Sequence, residues 1–337
     1  MSDRSTGGAV VLVTGVAGFI GFHLTRRLLD HGFRVVGIDN LNDYYDVALK
    51  QERLSQLVGY KDFDFQRVDI ADADATASVF QEHEPEIVVN LAAQAGVRYS
   101  LDNPRAYAHS NLTGFLNILE GCRSRKVSHF LYASSSSVYG GNEKVPFEES
   151  DPVDHPISLY AATKRSNELM ADCYAHLYGI PSTGLRFFTV YGPYGRPDMA
   201  YFSFTDRYFQ SRPINIYSNP RTEIARDFTY IDDVVESLLR LISKSPTGVL
   251  PHRVLNIGGS NPAPLSEFIE KLESALSAAL EKHVEFDKIF EPQKPGDVPV
   301  TFASTAALEK LCGYHPHTQL DVGLQRFAEW YVAHYGK

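Results

Sequence analysis

Short apolar, β-branched runs alternate with longer segments of helical periodicity through the first part of the chain. The runs are typical of buried parallel strands and cover residues 10–14, 34–39, 64–68, 87–91, 129–133 and 183–187. The segments between them predict helices over residues 22–29, 44–57, 72–83, 105–125 and 159–178. This strict alternation indicates an α/β fold in which helices cover both faces of a parallel sheet.

Beyond Thr189 the pattern loosens into glycine, proline and aromatic residues, which predicts a smaller domain over the carboxyl edge of the sheet. Ligands of such folds bind outside the carboxyl ends of the strands. Three polar or glycine-containing segments follow predicted strand ends there, at residues 15–21, 92–98 and 134–140. We therefore expect these three loops to build the functional site.

Composition narrows the classes of protein that fit. The 337 residues carry a net charge of −9, which argues against nucleic acid as the main partner. No apolar run approaches the roughly 20 residues of a membrane span, and the polar N-terminal tail does not resemble a signal peptide. The three cysteines and twelve histidines lack metal-ligand spacing. We expect a cytoplasmic protein with reduced cysteines, without a membrane partner and without a metal site.

The first strand runs into a glycine turn, Gly15, Gly18 and Gly21, which opens a helix. Glycines spaced in this way allow a tight turn, bring backbone N–H groups near a pyrophosphate and let the helix pack against the strand. The second strand ends at Asp39, whose carboxylate is placed to meet ribose hydroxyls and repels a 2′-phosphate, which favours NAD over NADP. Read alone, the triplet is an ordinary turn and Asp39 a helix cap or turn residue.

Tyr160 and Lys164 are one helical turn apart and share a face of the predicted helix. A nearby ammonium favours phenolate over phenol, so this tyrosine is a candidate base for a sugar hydroxyl beside a dinucleotide. Helices also carry such pairs by chance. The serine run at 134–137 offers hydroxyls directly after a strand, or forms a plain polar loop. Arg98 is either a surface charge or a contact for an anionic substrate.

Taken together, these motifs resemble the extended short-chain dehydrogenase/reductase family, in particular its nucleotide-sugar epimerases and dehydratases. The resemblance covers nearly the whole chain. Besides the features above, it includes Asp69-Ile70, residues 91–93, 185–188, 191–193, 226–233, 256–259 and 295–297. It implies a Rossmann-type NAD-binding domain over residues 1–188 with a return segment at about 231–258. A nucleotide-sugar-binding domain then comprises residues 189–230 and 259–337.

The resemblance also implies roles for individual residues. Tyr160 is the base, Lys164 lowers its pKa and holds the nicotinamide ribose, and Ser135 binds the reacting hydroxyl, with Ser136 and Ser137 close by. The residues expected to bind NAD are Gly15, Gly18, Phe19, Ile20, Gly21, Asp39, Asn40, Asp69, Ile70, Leu91, Ala92, Ala93, Tyr160 and Lys164. The residues expected to bind substrate are Arg98, Ser137, Thr189, Arg196, Arg226 and Asp297.

The serine run selects among the reactions of the family. Related 4,6-dehydratases carry acidic residues where this chain has Ser136 and Ser137, and related decarboxylases keep a glutamate at the position of Ser137. Their absence here argues against both reactions and favours epimerisation by oxidation and re-reduction at one carbon, with NAD staying bound. Residues 42–45, 95–100 and 188–202 are similar to the UDP-glucuronate 4-epimerases.

The sequence leaves alternatives for the substrate contacts and for the function. Ser137 and Thr189 offer neutral donors to a uronate carboxylate and Arg98 a charge, whereas Arg196 and Arg226 suit a diphosphate or form surface ion pairs. UDP-glucose 4-epimerase is a neighbouring hypothesis; a silent NAD-holding regulatory protein and a dehydrogenase that releases NADH are others. By analogy with the family, the helices at 105–125 and 159–178 predict a homodimer.

Overall fold

The computed structural model describes residues 8–218, 224–292, 298 and 300–336. Its strands are β1 (Val10–Thr14), β2 (Arg34–Ile38), β3 (Phe63–Gln66), β4 (Ile87–Asn90), β5 (His129–Ser135), β6 (Ser182–Phe187), β7 (Thr189–Tyr191), β8 (Ile214–Ser218), β9 (Ala225–Tyr230), β10 (His252–Ile257), β11 (Pro262–Pro264) and β12 (Lys288–Pro292). The helices are α1 (Phe19–Asp30), α2 (Val47–Ser55), α3 (Ala73–His83), α4 (Tyr99–Asp102), α5 (Pro104–Tyr107), α6 (Phe115–Arg125), α7 (Leu159–Tyr178), α8 (Ala200–Phe209), α9 (Ile231–Ile242), α10 (Leu265–Leu280), α11 (Ala306–Cys312) and α12 (Leu320–Tyr335).

Seven parallel strands form the central sheet in the order β10-β6-β5-β4-β1-β2-β3. Successive side chains of a strand point to opposite faces, and in β1 Val11 and Val13 enter one apolar cluster while Leu12 enters another. Helix α1 contributes Leu24 to the first cluster, and α6 contributes Ile118 to the second. The prediction of an α/β sheet wound on both faces is confirmed.

Local signals set the limits of α7, which carries Tyr160 and Lys164. The Ser158 side chain accepts a hydrogen bond from the N–H of Ala161, and Gly179 ends the helix at a φ of 67°. The predicted bounds of this helix are confirmed.

Other segments depart from the predicted bounds, and three of these departures lie near Tyr160 or the serine run or precede α2. The helix expected from residue 44 begins at Val47, because Asp46 caps it. The helix expected over 105–125 contains a π-helical segment, Ala108–Gly114, between α5 and α6. Ser134 and Ser135 belong to β5 and do not follow it, so the serine run begins inside the sheet.

The remaining elements form a smaller α/β part. It contains a three-stranded sheet in the order β11-β9-β7 and a parallel pair of β8 with β12. Strand β10 pairs with β6 of the central sheet, and α9 reaches α1 through the Arg27–Glu236 ion pair. These contacts accord with a return segment at 231–258, although the domain limits stay a prediction.

The described residues contain neither a membrane-spanning helix nor a metal-binding cluster. Within these ranges, none of the helices is both apolar and long enough to cross a membrane. No cluster of three or more histidine, cysteine, aspartate or glutamate side chains suited to a metal ion occurs in the same ranges.

Candidate active site

A cavity of about 240 Å³ opens at the carboxyl edge of the central sheet. All three loops that follow predicted strand ends contribute to it. Of the predicted site residues, the structure brings into its wall Gly15, Gly18, Phe19, Ile20, Gly21, Asp39, Asn40, Asp69, Ile70, Leu91, Ala92, Ala93, Ser135, Tyr160, Lys164 and Arg196.

The glycine turn is shaped by close backbone contacts. Gly15 has a φ of +71°, and a Cβ there would lie 2.8 Å from the backbone nitrogen of Ala92. A Cβ on Gly18 would lie 2.9 Å from the carbonyl oxygen of Gly15. The first turn of α1 carries no acidic residue, and its N-cap is Gly18, so the positive end of the helix dipole faces the cavity without a competing carboxylate. This turn fits a pyrophosphate.

Asp39 both orders the turn and lines the cavity. Its carboxylate oxygens accept hydrogen bonds from the N–H groups of Ala17, at 3.1 Å, and Leu41, at 2.8 Å. Burial raises the pKa of Asp39, against the opposing effects of these bonds and of the Lys50 and Arg53 charges. Each oxygen can accept a further hydrogen bond, so the carboxylate fits ribose hydroxyls. Asp39 is thus a turn residue as well, but Asp46 is the cap of α2.

The loops after β2 and β3 meet beside Asp39. Asn40 donates a hydrogen bond from its amide to Asp69 at 3.0 Å, and the other oxygen of Asp69 accepts from the N–H of Ala71 at 2.9 Å. Burial works against ionisation of Asp69, but the hydrogen bonds and His109 outweigh it and lower its pKa. With the glycine turn, these residues fit the adenosine half of NAD.

Tyr160 and Lys164 lie together in the cavity, but their electrostatics differ from the expectation. Burial raises the pKa of Tyr160, while Ser135 and the charge of Arg196 oppose that rise. The Lys164 ammonium donates to the carbonyl of Ala133 at 2.9 Å, and burial lowers its pKa to about 8. Burial is thus the dominant effect on the pKa of Tyr160 in this structure, and the lowering effect expected from Lys164 stays a prediction.

The hydroxyls of the serine run make hydrogen bonds to different partners. Ser134 lines the cavity and donates its hydroxyl to Glu168 at 2.6 Å. Ser135 donates to the Ser137 hydroxyl at 3.1 Å and accepts from the N–H of Ser137 at 3.2 Å, so these two hydroxyls are adjacent. Ser135 lines the cavity, whereas Ser136 and Ser137 are not among the described residues that line it.

The predicted substrate residues are only partly gathered. Arg196 lines the cavity, but Arg98, Thr189 and Arg226 are not among the lining residues in the described ranges. The Arg98 guanidinium lies 4.4 Å from the ring centre of Tyr217 on β8. Thr189 begins β7, and Arg226 donates to the carbonyl of Ala225 at 2.9 Å. Asp297 lies outside the described residues.

Among the residues near the cavity that were missed from the sequence are Tyr44, Lys50, Arg53 and Asp198. Lys50 lines the cavity, is 5% exposed and donates to the backbone and side chain of Asn42. Arg53 is 0% exposed and donates to the carbonyls of Ala17, Tyr194 and Gly195. The sequence signal that was available is a pair of cations, three residues apart, between apolar positions of α2. Tyr44 and Asp198 lie in the segments 42–45 and 188–202, whose resemblance to the UDP-glucuronate 4-epimerases was the available signal.

Comparison with known proteins agrees with this site. The model of the NAD dependent epimerase/dehydratase family matches residues 11–258. A probable UDP-glucuronate 4-epimerase of Rhizobium meliloti is 47% identical over 342 residues, covering 96% of this chain and 97% of that protein. UDP-glucuronate 4-epimerase 1 of Arabidopsis thaliana is 45% identical over 342 residues, covering 98% of this chain and 78% of that protein.

A solved structure also resembles this chain over most of its length. The UDP-glucuronic acid 4-epimerase of Bacillus cereus, in complex with UDP-glucuronic acid and NAD, superposes with a TM-score of 0.86. It is 33% identical, and the match covers 97% of this chain and 100% of that one. The family match, the similar relatives and the residues of the cavity all indicate one family. The chain belongs to the NAD dependent epimerase/dehydratase family.

Proposed function

We propose that the protein is an NAD-dependent UDP-glucuronate 4-epimerase that interconverts UDP-glucuronate and UDP-galacturonate. The observation that carries this proposal is a single cavity lined by the glycine turn, by Asp39 and by Tyr160, Lys164 and Ser135. The relatives named UDP-glucuronate 4-epimerase support the choice of substrate.

The side chains of the cavity have distinct tasks in this reaction. Bound NAD supplies a site that accepts and returns hydride at C4 of the sugar. Tyr160 takes the proton of the C4 hydroxyl and returns it after the sugar has turned its other face, and Ser135 hydrogen-bonds the same oxygen. Lys164 sits one helical turn from Tyr160 and adds positive charge near the base when it is protonated.

The serine run supports epimerisation over elimination. Positions 135–137 carry hydroxyls and no carboxylate, so this run offers no acid or base for loss of water or CO₂. Ser137, held against Ser135, and Thr189 are proposed as neutral donors to the sugar carboxylate. We assign Arg98 to the same carboxylate and Arg196 and Arg226 to the nucleotide diphosphate, and we propose Asp297 as a further substrate-binding residue.

A cofactor-free assay tests the function. Purified protein is incubated with UDP-glucuronate without added NAD, and the products are separated by chromatography with mass detection. The expected result is a new peak of unchanged mass that co-elutes with UDP-galacturonate, without NADH in solution. Loss of CO₂ would contradict the assignment of the serine run. Turnover of UDP-glucose in preference to the uronate would instead establish UDP-glucose 4-epimerase, and NADH release would indicate a dehydrogenase.

We also propose that two copies of this chain pair through α6 and α7. Leu169, Cys173 and Leu177 recur every four residues along α7, and the two leucines are 55% and 60% exposed. Leu116 of α6 is 40% exposed beside them in the helix pair, which Tyr174 and Glu120 join by a hydrogen bond. An apolar stripe of this kind on adjacent helices fits a four-helix interface.

Charge on this stripe is expected to separate the copies. By light scattering, the wild-type protein should have twice the mass of one chain. The double variant Leu169→Glu with Leu177→Glu should have the mass of one chain, because two carboxylates are costly to bury in an apolar interface. Val322→Glu, at a position 43% exposed on α12, is the matched control and should remain paired. A monomeric wild type would refute the homodimer.

The partners and location are proposed from the net charge and the cysteines. The net charge of −9 fits a small-molecule substrate and disfavours nucleic acid. Cys122, Cys173 and Cys312 carry free thiols, which fit the reducing cytoplasm. We therefore propose a cytoplasmic enzyme without a nucleic-acid or membrane partner.

A further inference from the structure

The carboxylate of Asp198 joins two loops that come from distant parts of the chain. It accepts two hydrogen bonds from the Arg196 guanidinium, from Nε at 2.9 Å and from Nη2 at 2.6 Å. It also accepts a hydrogen bond from the Tyr44 hydroxyl at 3.1 Å. Tyr44 precedes α2, on the loop that begins with Asp39, whereas Arg196 and Asp198 lie between β7 and α8. We call these three side chains the Tyr44–Asp198–Arg196 bridge.

The bridge forms part of the cavity. Tyr44 and Arg196 both line it, and the side chains of Arg196 and Asp198 are only 25% and 29% exposed. Paired, two-pronged contacts between a guanidinium and a carboxylate fix the orientation of both groups. Burial works against the charge of Asp198, but Arg196 and the hydrogen bonds lower its pKa, so the carboxylate stays ionised at neutral pH.

A third loop fits closely against the bridge. Gly96, in the loop after β4, has a φ of +97°, and a Cβ there would lie 2.5 Å from the Tyr44 hydroxyl oxygen. The Tyr44 ring packs on Tyr99 with ring centres 4.9 Å apart. The position of Tyr44 is therefore set by backbone that leaves no room for a side chain, and loops from three strands meet at this side of the cavity.

We propose that Tyr44 and Asp198 are positioning residues that hold Arg196 in the cavity wall and keep NAD bound through turnover. The inference rests on the proposed function, because an epimerase must return hydride from the same cofactor molecule that accepted it. The bridge ties the loop that follows Asp39, on the adenosine side, to the loop that carries Arg196. While both loops are tied, the dinucleotide is enclosed on this side.

The test compares Tyr44→Phe and Asp198→Asn with a matched control. Tyr60→Phe removes the same type of bond, a tyrosine hydroxyl donating to Asp30 at 2.9 Å, on an exposed surface away from the cavity. Retained NAD is measured in the purified proteins and during dialysis, and kcat and KM for UDP-glucuronate are measured with and without added NAD.

Tyr44→Phe should lose NAD about tenfold faster, the typical worth of a hydrogen bond to a charged group. Asp198→Asn should lose it faster still and show a raised KM, because Arg196 is released. Added NAD should restore the kcat of Tyr44→Phe, and Tyr60→Phe should match the wild type.

The outcomes separate the two proposals. If the wild type retains NAD but converts no UDP-glucuronate, the proposed function fails, and the retention measurements still decide the role of the bridge. If the wild type epimerises while both variants hold NAD as firmly as it does, the bridge does not retain the cofactor. Variants that melt earlier yet keep NAD and wild-type kinetics would show a purely structural contact and would also overturn the inference.

Discussion

Replacing Tyr160 by phenylalanine is expected to lower kcat for UDP-glucuronate by about 10³-fold, within the range typical of lost general acid–base catalysis. The change removes the only group assigned to take the C4 proton. It keeps the ring, whose centre lies 6.1 Å from that of Tyr107 in an edge-to-face contact. Bound NAD and the melting temperature should therefore stay close to those of the wild type. The measurement is single-turnover and steady-state epimerisation of UDP-glucuronate, followed by chromatography.

Tyr174→Phe provides the control for this experiment. Tyr174 lies on the same helix, α7, and donates its hydroxyl to Glu120 at 2.5 Å, away from the cavity. It should keep wild-type kcat. A Tyr160→Phe enzyme that retains more than about a tenth of the wild-type rate would mean that another group accepts the proton.

The parts of the site predicted correctly from sequence depend on local rules. Ser158 and Gly179 limit α7 through contacts within a few residues, so the pairing of Tyr160 with Lys164 on one helix followed directly. The glycine turn and Asp39 follow consecutive strands, and the carboxyl ends of parallel strands meet at one edge. These rules need no knowledge of the distant chain.

The parts that were missed depend on segments far apart in sequence. Burial raises the pKa of Tyr160, and Ser135 and the charge of Arg196, which a later loop brings into the cavity, oppose the rise; the local spacing to Lys164 could not predict that balance. Asp198 and Tyr44 meet only after the two halves have packed. The π-helical segment Ala108–Gly114 has no composition that sets it apart from the α-helix around it.

Arg186→Met is expected to lower the free energy of unfolding by about 3 kcal/mol, the low end of the cost of breaking a buried ion pair, because Arg165 and Ser134 still contact the Glu168 carboxylate. The side chains of Arg186 on β6 and Glu168 on α7 are 3% and 1% exposed. Two hydrogen bonds join them, from Nε at 2.8 Å and from Nη2 at 2.9 Å. The pair fastens the helix of Tyr160 to the sheet, so urea unfolding should detect the loss and kcat should fall with it.

The double variant Arg186→Met with Glu168→Leu distinguishes an unpaired charge from a general packing defect. It should recover most of the lost stability, because no buried charge remains.

The pH dependence of stability provides a second check. Burial raises the pKa of Glu168, but Arg186 outweighs burial and lowers that pKa below the ordinary 4.5. The ion pair therefore stabilises the fold above pH 4.5, and this stabilisation is lost as the pH falls through the folded-state pKa of Glu168. The gap between wild type and Arg186→Met should therefore stay constant from pH 7 to about pH 4.5 and narrow as the pH falls below that value. A gap that stays constant below pH 4.5 as well would place the effect in packing of the arginine stem and not in its charge.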